Sequence, residues 1–185
     1  MSKLILVTGG ARSGKSAFAE SILAKAQGPY GYIATAELYD EEMKERVAAH
    51  QARRPSGWQT YEVPRQLASE LPRILAAKDS VLLDCITLYA STYVYDHREE
   101  TDEVMTAGLL QEMKDIIQCF RSYSRGTVII VTNELGCGIV PMEHTSRLYR
   151  DVVGKINQYL ASQADEVYLV ACGLPLCLKP QGRGL

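Results

Sequence analysis

The residues with the clearest chemical signature form a glycine-rich loop near the N-terminus. In the pattern G-x-x-x-x-G-K-S they are Gly9, Gly10, Ala11, Arg12, Ser13, Gly14, Lys15 and Ser16. Glycines let backbone N–H groups surround phosphate oxygens, and the start of a following helix adds positive potential. Lys15 is expected to contact the β- and γ-phosphates, and the Ser16 hydroxyl is expected to ligate Mg²⁺. The spacing therefore predicts a site for a nucleoside triphosphate.

A second candidate ligand for Mg²⁺ is Asp84, which closes the apolar run over residues 81–83. A carboxylate at the end of a buried strand can hold the ion directly or through water. The alternative is that Asp84 caps the helix that follows. The base-reading motif N-K-x-D of regulatory GTPases is missing, because the corresponding strand continues into Thr132-Asn133-Glu134-Leu135. This difference disfavours a switch GTPase.

A histidine lies among arginines in residues 40–55. Acidic residues at the start, basic residues at the end and a final proline predict a helix, on which Arg46, His50 and Arg54 share one face. One interpretation is a solvated basic helix end. The other is catalytic, because clustered guanidinium groups bind polyphosphate and favour a neutral imidazole, which can attack phosphorus. Attack on the γ-phosphorus would give a phosphohistidine and attack on the α-phosphorus a nucleotidyl-histidine, and the residues leave both open.

Short apolar runs alternate with longer amphipathic segments, which predicts an α/β fold with a mostly parallel sheet and helices on both faces. The runs are uniformly apolar, as in strands covered on both faces. They span residues 4–7, 32–34, 81–83, 128–131 and 167–170. Residues 175–179 follow Gly173 too closely for a crossover helix, so they are expected to return as an antiparallel edge strand.

Helical periodicity marks three segments clearly and a fourth with an interruption. The clear segments are residues 16–26, 101–123 and 145–164. In residues 67–78 the pattern contains Pro72, which is expected to kink or restart the helix.

The composition of the 185-residue chain is that of one globular domain, with 46% hydrophobic residues, 23% charged residues and a formal net charge of −2. We assign residues 1–180 to that domain and residues 181–185 to a flexible tail. The balanced charge gives no sign of a nucleic-acid surface, and no apolar run suits a membrane span or signal peptide, so a cytoplasmic protein is expected. The five cysteines are scattered and odd in number, and most are expected to be reduced core residues.

The remaining candidates are weaker. His97 lies in a polar turn and is expected to be solvated, and His144 stands just before a predicted helix. The loop over residues 133–144 has three interpretations: part of a substrate site, a lid, or a long connection. Three tyrosines in an apolar stretch are expected to pack rather than to contact substrate; they are Tyr89, Tyr93 and Tyr95.

Taken together, the motifs resemble the bifunctional adenosylcobinamide kinase/adenosylcobinamide-phosphate guanylyltransferases of cobalamin biosynthesis. The resemblance runs over nearly the whole chain. It rests on residues 7–16, 32–35, 50–58, 82–87, 131–141, 147–158 and 164–167. The phosphate loop alone is generic, but its combination with Gly138-Ile139-Val140-Pro141 and Asn157-Gln158 in this order is specific.

The resemblance implies a RecA-like, trimeric P-loop enzyme with two reactions. First, ATP or GTP phosphorylates the aminopropanol hydroxyl of adenosylcobinamide. Then GTP guanylylates a histidine, which is His50 here, and the phosphate of the substrate attacks the adduct to give adenosylcobinamide-GDP. Two rival hypotheses are a small-molecule kinase in which His50 only binds phosphate, and a nucleotide-dependent binding module without transfer chemistry.

The resemblance also transfers nucleotide contacts beyond the phosphate loop. They fall on Ala34, Thr35, Ala36, Gln51, Ala52, Arg53, Arg54, Glu62 and Asp84. Mg²⁺ would be held by Ser16 and Asp84. The chain departs from some relatives at Ala49, where they carry a second histidine, and at Asp84, where some carry glutamate.

Overall fold

A computed structural model describes residues 2–37, 57–122 and 125–180. Within them, seven strands form one sheet in the order β3-β2-β4-β5-β1-β6-β7. The strands are β1 (Lys3–Thr8), β2 (Tyr30–Ala34), β3 (Trp58–Glu62), β4 (Ser80–Asp84), β5 (Thr127–Val131), β6 (Glu166–Ala171) and β7 (Leu174–Lys179). Neighbouring strands are parallel except β6 and β7, which are antiparallel. The predicted mostly parallel sheet and its antiparallel last strand are confirmed.

Five helices are present in the described residues. They are α1 (Lys15–Leu23), α2 (Leu67–Ala77), α3 (Ile86–Asp96), α4 (Asp102–Ser122) and α5 (His144–Gln163). Helix α2 runs through Pro72 without a break, and α1 ends earlier than its sequence pattern suggests. The helix predicted in residues 40–55 and the tail over residues 181–185 lie outside the described residues.

Helices cover both faces of the sheet, as predicted. Successive side chains of a strand point to opposite faces. In β1, Leu4 and Leu6 therefore join a large hydrophobic cluster formed with α2, α3, α4 and α5. The intervening Ile5 and Val7 join a second cluster, to which α1 contributes Ala19 and Leu23. Helix α1 thus packs on one face and the other four helices pack on the opposite face.

Burial is complete only in the middle of the sheet. Strands β1, β2, β4 and β5 are almost wholly buried, whereas β6 is partly exposed and β7 is mostly exposed. The expectation that every apolar run is covered on both faces is therefore wrong for β6. This strand lies beside the edge strand, where fewer helices reach.

The start of α2 is capped by side chains from two other helices. The Leu67 N–H donates to the Tyr89 hydroxyl at 3.2 Å, and the Ala68 N–H donates to Glu112 Oε1 at 3.3 Å. The Tyr89 hydroxyl in turn donates to Glu112 at 2.7 Å. Unpaired N–H groups at a helix start need such acceptors. Tyr89 packs as expected.

Several expectations about single side chains are wrong. Tyr95 is exposed rather than packed, and the His97 ring stacks on Tyr93 with ring centroids 3.9 Å apart. All five cysteines are free, but only Cys85 is buried. Cys119 is half-buried, while the exposed ones lie in the β5–α5 loop, the β6–β7 turn and the edge strand; they are Cys137, Cys172 and Cys177. In the described part of the chain, no helix has the length and apolar character to cross a membrane.

Candidate active site

The carboxyl ends of the parallel strands bring the predicted site residues to one edge of the sheet. Glu62 pairs in register with Ala34, and Ala34 pairs with Asp84. Asp84 pairs with Val131, and Val131 pairs with Val7 just before the phosphate loop. One strand therefore separates β4 from β1, a distance of about 10 Å at the usual strand spacing. Ligands of open α/β sheets bind at this edge.

The phosphate loop between β1 and α1 is braced by the turn that joins β6 to β7. A Cβ atom at Gly9 would lie 2.4 Å from the Val170 carbonyl oxygen. A Cβ atom at Gly14, whose φ is +95°, would lie 3.1 Å from Gly173 Cα. The Gly173 N–H donates to the Ser13 carbonyl at 2.8 Å. Glycines are thus required here by close packing as well as by the turn, and the sequence pattern does not reveal this support.

The interior of the loop is positively charged. Lys15 is buried, and its ammonium group donates to the Gly10 carbonyl at 3.1 Å. Helix α1 starts directly behind the loop, with Phe18 N–H donating to the Gly14 carbonyl at 3.0 Å. Ser16 is half-buried in the first turn, and Arg12 is exposed at the rim. An ammonium group and a helix N-terminus at one point suit a polyphosphate.

Three buried polar atoms at this edge lack a hydrogen-bond partner within the described residues. They are Thr8 Oγ1, Ser13 Oγ and Asn133 Oδ1. Ser13 lies in the phosphate loop, and Thr8 lies directly before it. Asn133 follows β5, the strand between β1 and β4. An unpaired buried polar atom costs about 1–3 kcal/mol, so such atoms normally find a partner. Their position fits a polar ligand bound across the loop and the end of β5.

Asp84 is positioned by residues of the neighbouring β2. The buried Tyr32 hydroxyl donates to Asp84 Oδ2 at 2.8 Å. The Thr35 hydroxyl donates to the Cys85 carbonyl at 2.6 Å and accepts the Cys85 N–H at 2.9 Å, which fixes the backbone after Asp84. The N-cap of α3 is Cys85, without a side-chain capping bond. The alternative role for Asp84, as a helix cap, is therefore wrong.

A polar network continues from Asp84 under the edge of the sheet. Burial, reinforced by the Asp84 charge, raises the pKa of Cys85 to about 11, so its thiol is neutral at physiological pH. Cys85 Sγ lies 3.0 Å from Thr87 Oγ1, which accepts from Asn133 Nδ2 at 2.8 Å. The Asn133 carbonyl accepts from Asn157 Nδ2 at 2.9 Å. The network ties the ends of β4 and β5 to α5.

Ser16 and Asp84 both carry oxygen donors of the kind that Mg²⁺ prefers. A hydroxyl and a carboxylate are hard oxygen donors, and Mg²⁺ usually takes one or two protein oxygens together with water and substrate phosphates. In residues 2–37, 57–122 and 125–180 no group of three or more His, Cys, Asp or Glu side chains could hold a metal ion.

The remaining predicted contacts are only partly within the described residues. Ala36 is half-buried after β2, and Glu62 is exposed at the end of β3. His144 Nε2 is 3.1 Å from Asp102 Oδ2 at the start of α4. Five predicted site residues lie outside the described residues; they are His50, Gln51, Ala52, Arg53 and Arg54.

Comparison with known proteins finds relatives over nearly the full length. A family model described as cobinamide kinase / cobinamide phosphate guanyltransferase matches residues 5–178. The bifunctional adenosylcobalamin biosynthesis protein CobU of Salmonella typhimurium is 40% identical over 183 residues, covering 95% of this chain and 99% of that protein. The Escherichia coli protein of the same name is 36% identical with the same coverage. CobP of Pseudomonas aeruginosa is 38% identical, covering 94% of this chain and 96% of its own.

Solved structures share the fold at low sequence identity. An ATPase of a bacterial type III secretion system superposes with a TM-score of 0.58 at 13% identity, covering 95% of this chain and 56% of that one. A protein from Pyrococcus horikoshii OT3 superposes with a TM-score of 0.55 at 8% identity, covering 96% of this chain and 86% of that one. At these identities the likeness establishes the P-loop α/β fold alone.

Proposed function

The chain belongs to the cobinamide kinase / cobinamide phosphate guanyltransferase family of bifunctional enzymes, and from this membership we propose its substrates and its covalent intermediate. In the first reaction, the aminopropanol hydroxyl oxygen of adenosylcobinamide attacks the γ-phosphorus of ATP or GTP. The bond from that phosphorus to the nucleoside diphosphate breaks, and the hydroxyl proton is released.

In the second reaction, an imidazole nitrogen of His50 attacks the α-phosphorus of GTP and pyrophosphate leaves. A phosphate oxygen of adenosylcobinamide phosphate then attacks the guanylyl phosphorus. The phosphorus–nitrogen bond breaks, adenosylcobinamide-GDP forms and His50 is regenerated. Support for His50 comes from the sequence, because the arginines around it favour both a bound polyphosphate and a neutral, nucleophilic imidazole.

The observation that carries the proposal is the placement of the phosphate loop and Asp84 on one edge of the sheet, one strand apart. Phosphoryl transfer depends on positioning and on neutralising charge. The loop N–H groups and Lys15 would hold the phosphates, while Ser16 and Asp84 would hold Mg²⁺. When bound, Mg²⁺ supplies positive charge to the phosphate oxygens.

Intact-protein mass spectrometry tests the guanylyl step directly. The protein is incubated with GTP and Mg²⁺ without any cobinamide, beside the His50→Ala variant. We expect an acid-labile GMP adduct on the unmodified protein and none on the variant. A folded, GTP-binding protein that forms no adduct, even with pyrophosphatase present, would favour the rival kinase in which His50 only binds phosphate.

Two substitutions should separate the reactions. Lys15→Ala is expected to slow both reactions at least about a hundredfold, because both need charge stabilisation on a bound triphosphate. His50→Ala is expected to abolish guanylyl transfer and to retain phosphorylation of cobinamide. Radiolabel transfer from γ- and α-labelled GTP measures the two activities separately. Equal loss of both activities in folded His50→Ala would contradict the division of roles.

A further inference from the structure

The loop between β5 and α5 exposes three large apolar side chains. Ile139 is 96% exposed, Met142 is 95% exposed and Val140 is 60% exposed. Single exposed apolar residues are ordinary, but several within four positions of one loop form a patch of the kind that marks a contact site. Residues 135–142 also contain no charged side chain, so the loop offers an uncharged surface.

Hydrogen bonds hold this loop in shape at both ends. At its start, the Glu134 carboxylate accepts the Gly136 N–H at 2.6 Å. At its end, the Arg147 guanidinium from the first turn of α5 donates to the Pro141 carbonyl at 3.1 Å. The apolar side chains therefore project from an ordered segment rather than from a free chain.

The loop begins beside the phosphate site. The Glu134 N–H donates to the Gly9 carbonyl of the phosphate loop at 3.1 Å. Strand β5, from which the loop leaves, lies between β1 and the strand that carries Asp84. The phosphate loop accounts for the nucleotide. An acceptor must bring its oxygen to the phosphorus from the side away from the leaving group, and it therefore needs a surface of its own at this edge.

We propose that residues 138–142 bind the corrinoid acceptor, with Ile139 and Met142 packing against its macrocycle. The inference rests on the proposed function, because it takes a cobinamide as the acceptor. A corrin ring carries many methyl groups and uncharged amide arms, which match an apolar, uncharged loop. In this proposal the loop contacts the acceptor, and nucleotide binding is left to the phosphate loop.

The test uses the full chain with Ile139→Ser and Met142→Ser, singly and together. The matched control is Leu178→Ser. Leu178 is also a large, exposed apolar side chain, but it lies on the edge strand β7. Val140→Thr, which keeps the side-chain shape, is a second variant in case the serine variants unfold. Four quantities are measured: cobinamide affinity with a non-hydrolysable GTP analogue, GTP affinity, acceptor-independent guanylylation, and mass by sedimentation.

We expect the double variant to bind cobinamide at least about tenfold more weakly, because losing the packing of even one such side chain has an effect of that size. GTP affinity, guanylylation and sedimentation mass should match the control. Cobinamide affinity within twofold of the unmodified protein overturns the proposal. So does a fall in sedimentation mass, which would assign the patch to a second copy of the chain.

Failure of the proposed function would look different. An unmodified protein that binds GTP but neither binds nor phosphorylates cobinamide refutes the substrate assignment, and the loop proposal falls with it. In contrast, normal cobinamide turnover by both the unmodified protein and the loop variants refutes only the loop proposal.

Discussion

At the scale of single residues, the contact between Tyr32 and Asp84 orients the carboxylate that we propose as a Mg²⁺ ligand. The Tyr32 hydroxyl donates to Asp84 Oδ2 at 2.8 Å, and the Tyr32 side chain is itself buried in the second hydrophobic cluster. A carboxylate with one oxygen held by a rigid donor has fewer orientations to lose when the other oxygen binds an ion. Loss of such an outer contact typically lowers metal affinity about 10- to 100-fold.

We expect Tyr32→Phe to weaken Mg²⁺ binding about tenfold while the fold is retained. The reason is that the phenyl ring keeps the packing and removes only the hydroxyl. The measurement is the Mg²⁺ dependence of GTP affinity, together with Mn²⁺ binding followed by electron paramagnetic resonance. Tyr30→Phe is the matched control, because its hydroxyl donates to the Ala26 carbonyl at 2.9 Å, away from Asp84. Equal Mg²⁺ dependence in the two variants would contradict the role of Tyr32.

What the sequence predicts at this scale depends on how local the signal is. The phosphate loop is recognisable because eight adjacent residues carry its chemistry. The bond between Tyr32 and Asp84 joins residues 52 positions apart, and no local pattern indicates it. The same holds for Gly173, whose support of Ser13 appears only when β6 and β7 pack beside the loop.

At the scale of elements, Asp165 connects the end of α5 to the start of β1 and to α4. Its carboxylate accepts the Leu4 N–H at 2.8 Å and the Arg121 guanidinium at 3.1 Å. Burial alone would raise the pKa of Asp165, but the hydrogen bonds from Arg121 and the Leu4 N–H outweigh it and lower that pKa. A carboxyl group whose pKa is lowered by folding stabilises the folded state at pH values above its unfolded pKa.

Asp165→Asn is accordingly expected to lower the free energy of unfolding by about 1–2 kcal/mol at pH 7. The difference from the unmodified protein should shrink as pH falls below about 4, the pKa of an unfolded aspartate, and vanish below the folded value. Urea unfolding at several pH values measures it. Asp151→Asn serves as the control, because exposed Asp151 pairs only with its neighbour Arg150 among the described residues. A pH-independent difference would mean that the ion pair contributes nothing.

Elements with mixed composition are the ones that the sequence pattern misses. Helix α3 is rich in tyrosine and threonine, which favour strands locally. It is helical because Ile86, Ala90 and Val94, four residues apart, pack into the large hydrophobic cluster. Strand β3 is half-exposed at the sheet edge, so its sequence lacks the uniform apolar run of the central strands. The conformation of both elements therefore depends on burial in the folded molecule rather than on local propensity.

At the scale of the whole molecule, the two hydrophobic clusters share the same central strands. Strand β1 contributes Leu4 and Leu6 to one cluster and Ile5 and Val7 to the other. If either cluster lost its packing, one face of these strands would become exposed, and the cluster on the other face would lose its support. We therefore expect the strands and helices of the described residues to unfold together, as one domain.

The single tryptophan makes that prediction measurable. Trp58 lies on the edge strand β3 and packs against Tyr30 with ring centroids 5.9 Å apart, whereas far-ultraviolet circular dichroism reports all helices and strands. We expect the two signals to give the same urea midpoint, as in two-state unfolding. GTP and Mg²⁺ at about 100 times the dissociation constant should then add about 2.7 kcal/mol to stability by both probes. Lys15→Ala should lose most of that increment. A fluorescence transition that precedes the circular dichroism transition would instead show that β3 and its surroundings unfold separately from the strands that carry the phosphate loop.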